Sequence, residues 1–237
     1  MDENAVPVYA QIAEELRQNI QQGVYRVGDK LPTEVQLSDR FRVNRHTVRR
    51  AIALLKSEGL LRVDQGRGTF VAGIPIRYPI GQRVRFNETL TAQGFEMSFQ
   101  LVRNVEIPAD ASVAKGLELA IGDPVALIER LTFADDQPLS ISAGHFPLKR
   151  FPAILSQEPR MWSISNLLRE VYGCDHIRRS TRVSARVVNP QDARLLKLPL
   201  NYPILLVESI NVDQDGKPVE YGVTRFRGDR MELVFEN

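Results

Sequence analysis

Cysteine is nearly absent from this chain of 237 residues: Cys174 is the only one, which excludes an internal disulfide framework and a zinc site built on cysteines. Histidine is scarce too. His46, His145 and His176 are scattered, with no H-E-x-x-H or comparable ligand spacing, so no metal and no other cofactor is expected. No apolar run approaches the ~20 residues that a membrane-spanning helix needs. The opening Met-Asp-Glu-Asn-Ala-Val-Pro lacks the basic-then-apolar pattern of a signal peptide, so a cytoplasmic protein with no membrane partner is expected. Neither a Ser-His-Asp arrangement nor a paired-carboxylate pattern emerges, which leaves catalysis without recognisable machinery. The length suits two domains, each able to bury its own core.

What the chain does have is charge distributed unevenly. Its net +2 lies entirely in the first third: residues 1–73 hold 11 Lys/Arg against 9 Asp/Glu, and the remainder holds 20 of each. Between 40 and 67 the imbalance sharpens, with Arg40, Arg42, Arg45, Arg49, Arg50, Lys56, Arg62 and Arg67 opposed only by Glu58 and Asp64. A local excess of this kind is the footprint of a surface that meets a polyanion.

Within that basic stretch, Asn44-Arg45-His46-Thr47-Val48-Arg49-Arg50-Ala51 opens a helix whose two faces separate cleanly at about 100° per residue. Val48, Ala51, Ile52 and Leu55 form an apolar stripe, while Arg45, His46, Arg49 and Arg50 crowd the other side. Arginine can grip phosphate or fork onto a guanine edge, and the first helical turn adds backbone amides. Upstream, Val8 to Gln22 reads as an amphipathic helix on Ile12, Ala13, Leu16 and Ile20. Thr33 followed by Gln36 fits a capping box for a short helix running through Leu37 to Phe41. Downstream, Leu60–Val63 and Thr69–Val71 are β-prone runs around Asp64-Gln65-Gly66-Arg67-Gly68, a hairpin with a glycine-bearing tip. Helix, short helix, tight turn, long basic helix and basic hairpin make a winged helix-turn-helix.

Leu31-Pro32-Thr33-Glu34, the Asn44–Ala51 run, Glu58-Gly59-Leu60 and Gln65-Gly66-Arg67-Gly68-Thr69-Phe70-Val71 occur in the order found in GntR-family transcriptional regulators, which this portion resembles. The resemblance implies DNA contacts from Arg45, Thr47, Arg49 and the Gly66 backbone, with Asn44, His46, Arg50 and Arg67 joining them on the same surface. One departure stands out. Many members carry an arginine directly after the Pro-Ser/Thr-Glu motif where this chain has Val35, so a contact common in the family is expected to be missing. Asn44 and His46 resemble a narrower variant found in regulators of phosphonate uptake and breakdown.

Residues 74–79 carry two prolines with no periodicity and read as a semi-stiff connector between domains 1–73 and 80–237. Beyond it, β-prone runs alternate with short helices at Glu88–Gln93, Ala111–Leu117, Ser163–Tyr172 and Gln191–Leu196. The turns Asp135-Asp136-Gln137 and Asp213–Lys217 demand antiparallel pairing, so the fold class is α+β with an antiparallel sheet. A shift of 79 residues lays Ala114 on Ala193, Leu117 on Leu196, Pro124 on Pro203 and Glu129 on Glu208. One inserted residue then aligns Pro138 with Pro218. Two such halves about a pseudo-twofold would form one sheet, with a cleft between sheet and helices suited to a small ligand.

Gly122-Asp123-Pro124-Val125, Ile128–Leu131, Leu205–Ser209 and Asp215-Gly216-Lys217-Pro218-Val219-Glu220-Tyr221 resemble the UTRA effector domain of the HutC branch, which has a chorismate-lyase-like fold. The resemblance implies effector contacts at Asn87, Arg130, Ser163 and Glu220, with Ser165 alongside. Thr132, Ser165 and Phe226 stand where an amino-sugar-phosphate binder carries arginine, tyrosine and tyrosine, so a smaller or differently shaped anion is expected. Simpler structural readings compete: Arg130 as a cross-sheet ion pair, Ser163 as a helix cap, Glu220 as a solvated hairpin residue. Arg178, Arg182 and Arg186, evenly spaced on one strand, read as a single polar face.

The sequence therefore points to a ligand-responsive regulator, a repressor by family habit, acting as a homodimer on a double-stranded DNA operator under a small anionic effector such as a phosphonate or phosphate. An enzyme built on the lyase-like fold, and a DNA-binding protein without ligand control, are the alternatives.

Overall fold

A computed structural model describes residues 6–64, 66–73, 75–157 and 163–235. The opening residues, Gln65 of the hairpin tip and Ile74 of the connector lie outside them. The chain divides into two compact units, Met1–Pro75 and Ile76–Asn237.

The first unit holds α1 (Val8–Gln21), α2 (Glu34–Phe41), α3 (Arg45–Ser57), β1 (Leu61–Asp64) and β2 (Gly68–Val71). Each start has a local cause. Thr33 and Gln36 close a reciprocal capping box on α2, and Asn44 Oδ1 accepts from the Thr47 amide at 2.9 Å to cap α3. Arg42, left-handed at φ 52°, ends α2 and leaves a tight turn before α3. The stripe Val48, Ala51, Ile52 and Leu55 is buried against Ile12, Ala13, Leu16 and Leu37, and β1 and β2 close the core through Leu61 and Val71. Arg17 of α1 grips Glu58 at the end of α3 through both carboxylate oxygens, at 2.8 Å each.

In the second unit, β4 (Met97–Pro108), β5 (Pro124–Ala134), β6 (Gln137–Pro147), β7 (Ile177–Val187), β8 (Pro203–Val212) and β9 (Pro218–Arg227) form one antiparallel sheet. Its order is β4-β5-β6-β9-β8-β7. That order is a mirror: β4, a helix, β5 and β6 on one side match β7, a helix, β8 and β9 on the other. The linking helices are α5 (Ala111–Leu117) and α7 (Pro190–Leu195). Ala143 pairs with Val223, its own repeat partner once the inserted residue is counted, so the pseudo-twofold runs through that pair. The β5–β6 hairpin turns on Asp135 and Asp136, both left-handed, a conformation aspartate tolerates.

The α5 and α7 helices cover one face of the sheet, on Val125 and Tyr221 and on Leu131, Ile141 and Ile204. On the other face lie α4 (Phe86–Ala92), α6 (Ile164–Tyr172) and a strand pair, β3 (Ile76–Pro79) with β10 (Met231–Val234).

Two expectations are corrected. Ile76–Pro79, read as connector, is a strand in parallel register with Met231–Val234. Its prolines sit just before it and at its last residue, so they cost it little pairing, while Ile76 and Tyr78 alternate into the core. The three even-spaced arginines do not share a face. A register shift between Arg178 and Ser180 turns Arg178 to the side of Asn211, its partner, while Arg182 pairs with Glu208 on the opposite side.

Candidate functional site

The exposed side of α3 presents Arg45, His46, Arg49 and Arg50, as the helical period requires. Their neighbours give them unequal roles. Arg49 Nε donates to Glu34 Oε2 at 2.8 Å, and the first turn of α2 thereby holds it while 65% of its side chain stays exposed. Arg50 lies 4.1 Å from the centre of the Tyr9 ring on α1, a cation–π contact that directs it back over the domain. Asn44 spends Oδ1 on the Thr47 amide and hydroxyl, so both residues serve first to start the helix. Val35, where an arginine is common, is 42% exposed in the first turn of α2. At the wing, Gly66 has φ +74° and Gly68 φ +121°, both favouring glycine. Arg67 lies over the Phe70 ring at 5.9 Å and Arg62 at 5.0 Å.

The second unit holds a partly open cavity of about 410 Å³ between its sheet and the covering elements α4, α6 and β3. Asn87, Arg130, Ser163, Ser165 and Glu220 all line it, so residues from four distant stretches of sequence meet in one place. Its floor follows from strand alternation and register. Arg130, Ser142, Thr224 and Val207 lie in one lateral row across β5, β6, β9 and β8; Ile128, Gly144, Gly222 and Ser209 form the next. Thr132 and Ser140 pair beyond Arg130, and Tyr78, Phe86 and Phe226 make an aromatic wall with ring centres 5.0 and 5.6 Å apart.

Arg130 has its guanidinium 5.2 Å from the Phe99 ring centre, and burial lowers its pKa against the opposing pull of Glu220. Ser163 is the cap residue of α6 but its side chain makes no capping bond, so capping does not explain it. Ser165 is already committed: its hydroxyl donates to the Val84 carbonyl at 2.7 Å and meets His176 Nδ1 at 2.8 Å. His176 Nε2 lies 2.7 Å from Glu220 Oε2, which also accepts from Asn211 Nδ2 at 2.6 Å. His176 thus links Ser165 to Glu220 through its two ring nitrogens. Burial alone would raise the Glu220 pKa; His176, the Asn211 amide and Arg130 together bring it below the ordinary value.

Glu220 is thus no solvated hairpin residue, its side chain being 12% exposed. His176 and Asn211 were missed by the sequence reading because a lone histidine and a lone asparagine 35 positions apart carry no local signal. Strand alternation from Glu220 and the hairpin register could have placed Asn211.

Comparison with known proteins accounts for both units. Residues 8–71 match the bacterial regulatory protein gntR family and residues 92–232 match the UTRA domain. The chain is 35% identical to the probable transcriptional regulator PhnF of Escherichia coli over 97% of its length and 95% of the relative's. It is 34% identical to the HTH-type regulator RB1450 of Rhizobium meliloti, with 98% and 95% covered. The crystal structure of PhnF from Mycobacterium smegmatis superposes with a TM-score of 0.68 at 27% identity, covering 95% of this chain and 98% of that one. These relatives are named as regulators, and others such as NagR of Bacillus subtilis as repressors, which removes the enzyme reading. With a gntR-type winged unit followed by a UTRA domain, the chain belongs to the GntR family as a transcriptional regulator carrying a UTRA domain.

Proposed function

We propose that this regulator is a ligand-controlled repressor in which a small oxyanion, a phosphonate, a phosphate or a related metabolite, binds the cavity beside Arg130 and changes operator affinity. The observation that carries this reading is the row Arg130, Ser142 and Thr224, with Thr132 and Ser140 in the row beyond. A guanidinium facing hydroxyl donors from a half-dry floor is a chemistry suited to a tetrahedral oxyanion. Thr132, Ser165 and Phe226, standing where an amino-sugar-phosphate binder carries arginine, tyrosine and tyrosine, support a differently shaped anion over a sugar phosphate.

On the DNA side, Arg45, His46 and Arg49 read base edges or phosphates, Arg50, Arg67 and the Gly66 backbone hold the phosphates, and Asn44 and Thr47 set the helix start. A homodimer presents two copies to a palindromic operator. Assignment to phosphonate uptake or breakdown genes is supported by the likeness to PhnF.

Thermal-shift titration of the full chain with inorganic phosphate, methylphosphonate and acetate tests the cavity. Stabilisation by phosphate or methylphosphonate that disappears in Arg130→Ala supports the reading; equal stabilisation of both proteins places the anion elsewhere.

A further inference from the structure

The wing carries a cation from outside the basic stretch 40–67. Gly28 to Leu31 runs along β2 as a short third strand: the Leu31 amide donates to the Thr69 carbonyl at 2.8 Å and the Val71 amide to the Asp29 carbonyl at 2.9 Å. Lys30 stands opposite Phe70 between those two bonds. They flank the pair without joining it, which is the closer of the two antiparallel spacings and puts both side chains on one face. Arg62 is the partner of Phe70 on β1, so Lys30, Phe70 and Arg62 make one row across three strands. From that row the lysine runs along the hairpin. Its Cε stands 2.6 Å and its Nζ 3.4 Å from where a Cβ on Gly68 would be, so the stem occupies the space the glycine leaves and brings the ammonium to the base of the tip.

Three cations thus gather around the Phe70 ring, and they are not equivalent. Arg62 donates to Asp64 at 2.9 Å, while Arg67 lies 4.0 Å from the same carboxylate with 46% of its side chain exposed. Lys30 is exposed and no carboxylate among the described residues pairs with it. Asp29, its neighbour in sequence, accepts instead from the Arg26 amide at 2.8 Å. Resting on the assignment of helix and wing to DNA above, we infer that Lys30 is a phosphate-binding residue of the wing, gripping the duplex backbone together with Arg67 beside the Gly66 tip. Each DNA strand carries one charge per ~3.4 Å of axis, so a hairpin tip that meets a duplex has phosphates beside it. An ammonium at the base of that tip acts within the ~8 Å over which charges are felt in physiological salt. Lysine brings a rotatable point charge without the fork that recognises a base edge, so its contribution is the same on every sequence.

Fluorescence anisotropy of the full chain on a selected and a scrambled duplex, over a range of salt, tests this with Lys30→Gln, Lys30→Met and Lys30→Arg. Methionine keeps an unbranched stem over Gly68 and removes only the charge, which guards against a folding fault. Both neutral variants should bind the two duplexes about threefold to tenfold more weakly and by the same factor, and should flatten the slope of log K against log salt by about 0.9 per protomer. Lys30→Arg should keep the wild-type slope. A loss confined to the selected duplex would make Lys30 a reader of bases and overturn the phosphate assignment. If the neutral variants keep the wild-type slope while Arg67→Gln flattens it, the Lys30 inference is overturned and the assignment of the wing stands. If neither Lys30→Gln, Arg67→Gln nor Arg45→Ala changes the slope, both are overturned.

Discussion

Gly144 and Gly222 face each other across the central strand pair of the second unit, and neither can gain a methyl group without meeting a neighbour. The obstacles differ. At Gly144 the added carbon would stand 2.6 Å from Glu220 Oε1 and 2.8 Å from the Phe146 ring, and Phe146 is fully buried. At Gly222 it would meet the Ser209 hydroxyl at 2.9 Å, and that group can rotate away.

Gly144→Ala should therefore destabilise the protein by about 1–3 kcal/mol, the usual range for overpacking, and Gly222→Ala by less. Urea unfolding of the two variants measures the difference. Equal costs would mean that Phe146 moves as easily as a serine side chain, contrary to its packing.

On the DNA surface, Arg45→Ala and Arg49→Ala should weaken specific binding by about 1–3 kcal/mol per half-site, whereas Lys56→Ala, near the far end of α3, should weaken specific and random duplex alike. Because Glu34 holds the Arg49 guanidinium at 2.8 Å, Glu34→Ala should lose part of the Arg49 effect while removing a negative charge. With about three to five phosphates neutralised per protomer, log K against log salt should slope at roughly −5 to −9 for a dimer. Filter binding on a selected duplex and a scrambled one separates these outcomes, and a slope near zero would contradict the assignment of this surface.

Asn44 is expected to act through the helix it starts. Loss of its cap in Asn44→Ala should cost about 1 kcal/mol of stability in the winged unit, seen by thermal unfolding, whereas Arg45→Ala should leave stability within about 0.5 kcal/mol. Unchanged stability in Asn44→Ala would show that the side chain serves only DNA.

Much of this architecture was legible in the sequence because its causes are local or periodic. The apolar stripe of α3, the Thr33–Gln36 box and the acidic hairpin turns each declare themselves within a few residues. The 79-residue repeat exposed the mirrored halves of the sheet. Residues Asn87, Arg130, Ser163 and Glu220 came from family resemblance, since no spacing rule links them, and the structure brings them to one cavity. What stayed hidden depends on pairing between distant segments. The β3 strand exists because Met231–Val234 lies beside it, 155 positions away, and nothing local announces that. A single bulge at Arg179 reversed the face of Arg178, which even spacing had placed with Arg182. His176 joined the site only through its bonds to Ser165 and Glu220.

Tyr221 offers a pH test on the opposite face of the sheet. Burial, then its donated 2.8 Å bond to Glu208, pushes the phenol up to about 12 from an ordinary value of 10.0. A folded-state value above the unfolded one means that the neutral phenol contributes stability fully below pH 10 and loses it as pH rises towards 12. Ultraviolet difference titration of wild type against Tyr221→Phe should show one phenol ionising about two units late, and Glu208→Gln should bring it earlier. Ionisation of that phenol near pH 10 would refute the buried bond.

The central claim is that the cavity controls DNA binding, and the most direct measurement is fluorescence anisotropy of a duplex selected from a random pool, titrated with the full chain in the absence and presence of saturating methylphosphonate. Only a difference in the ligand's affinity for the DNA-competent and DNA-incompetent states can act. A tenfold preference per site corresponds to about 1.4 kcal/mol, and two sites in a dimer to about 2.7. The account predicts an affinity change of about a hundredfold in wild type and none in Arg130→Ala. A wild-type protein whose cavity is shown by calorimetry to be filled, and whose operator affinity is nonetheless unchanged, would contradict it.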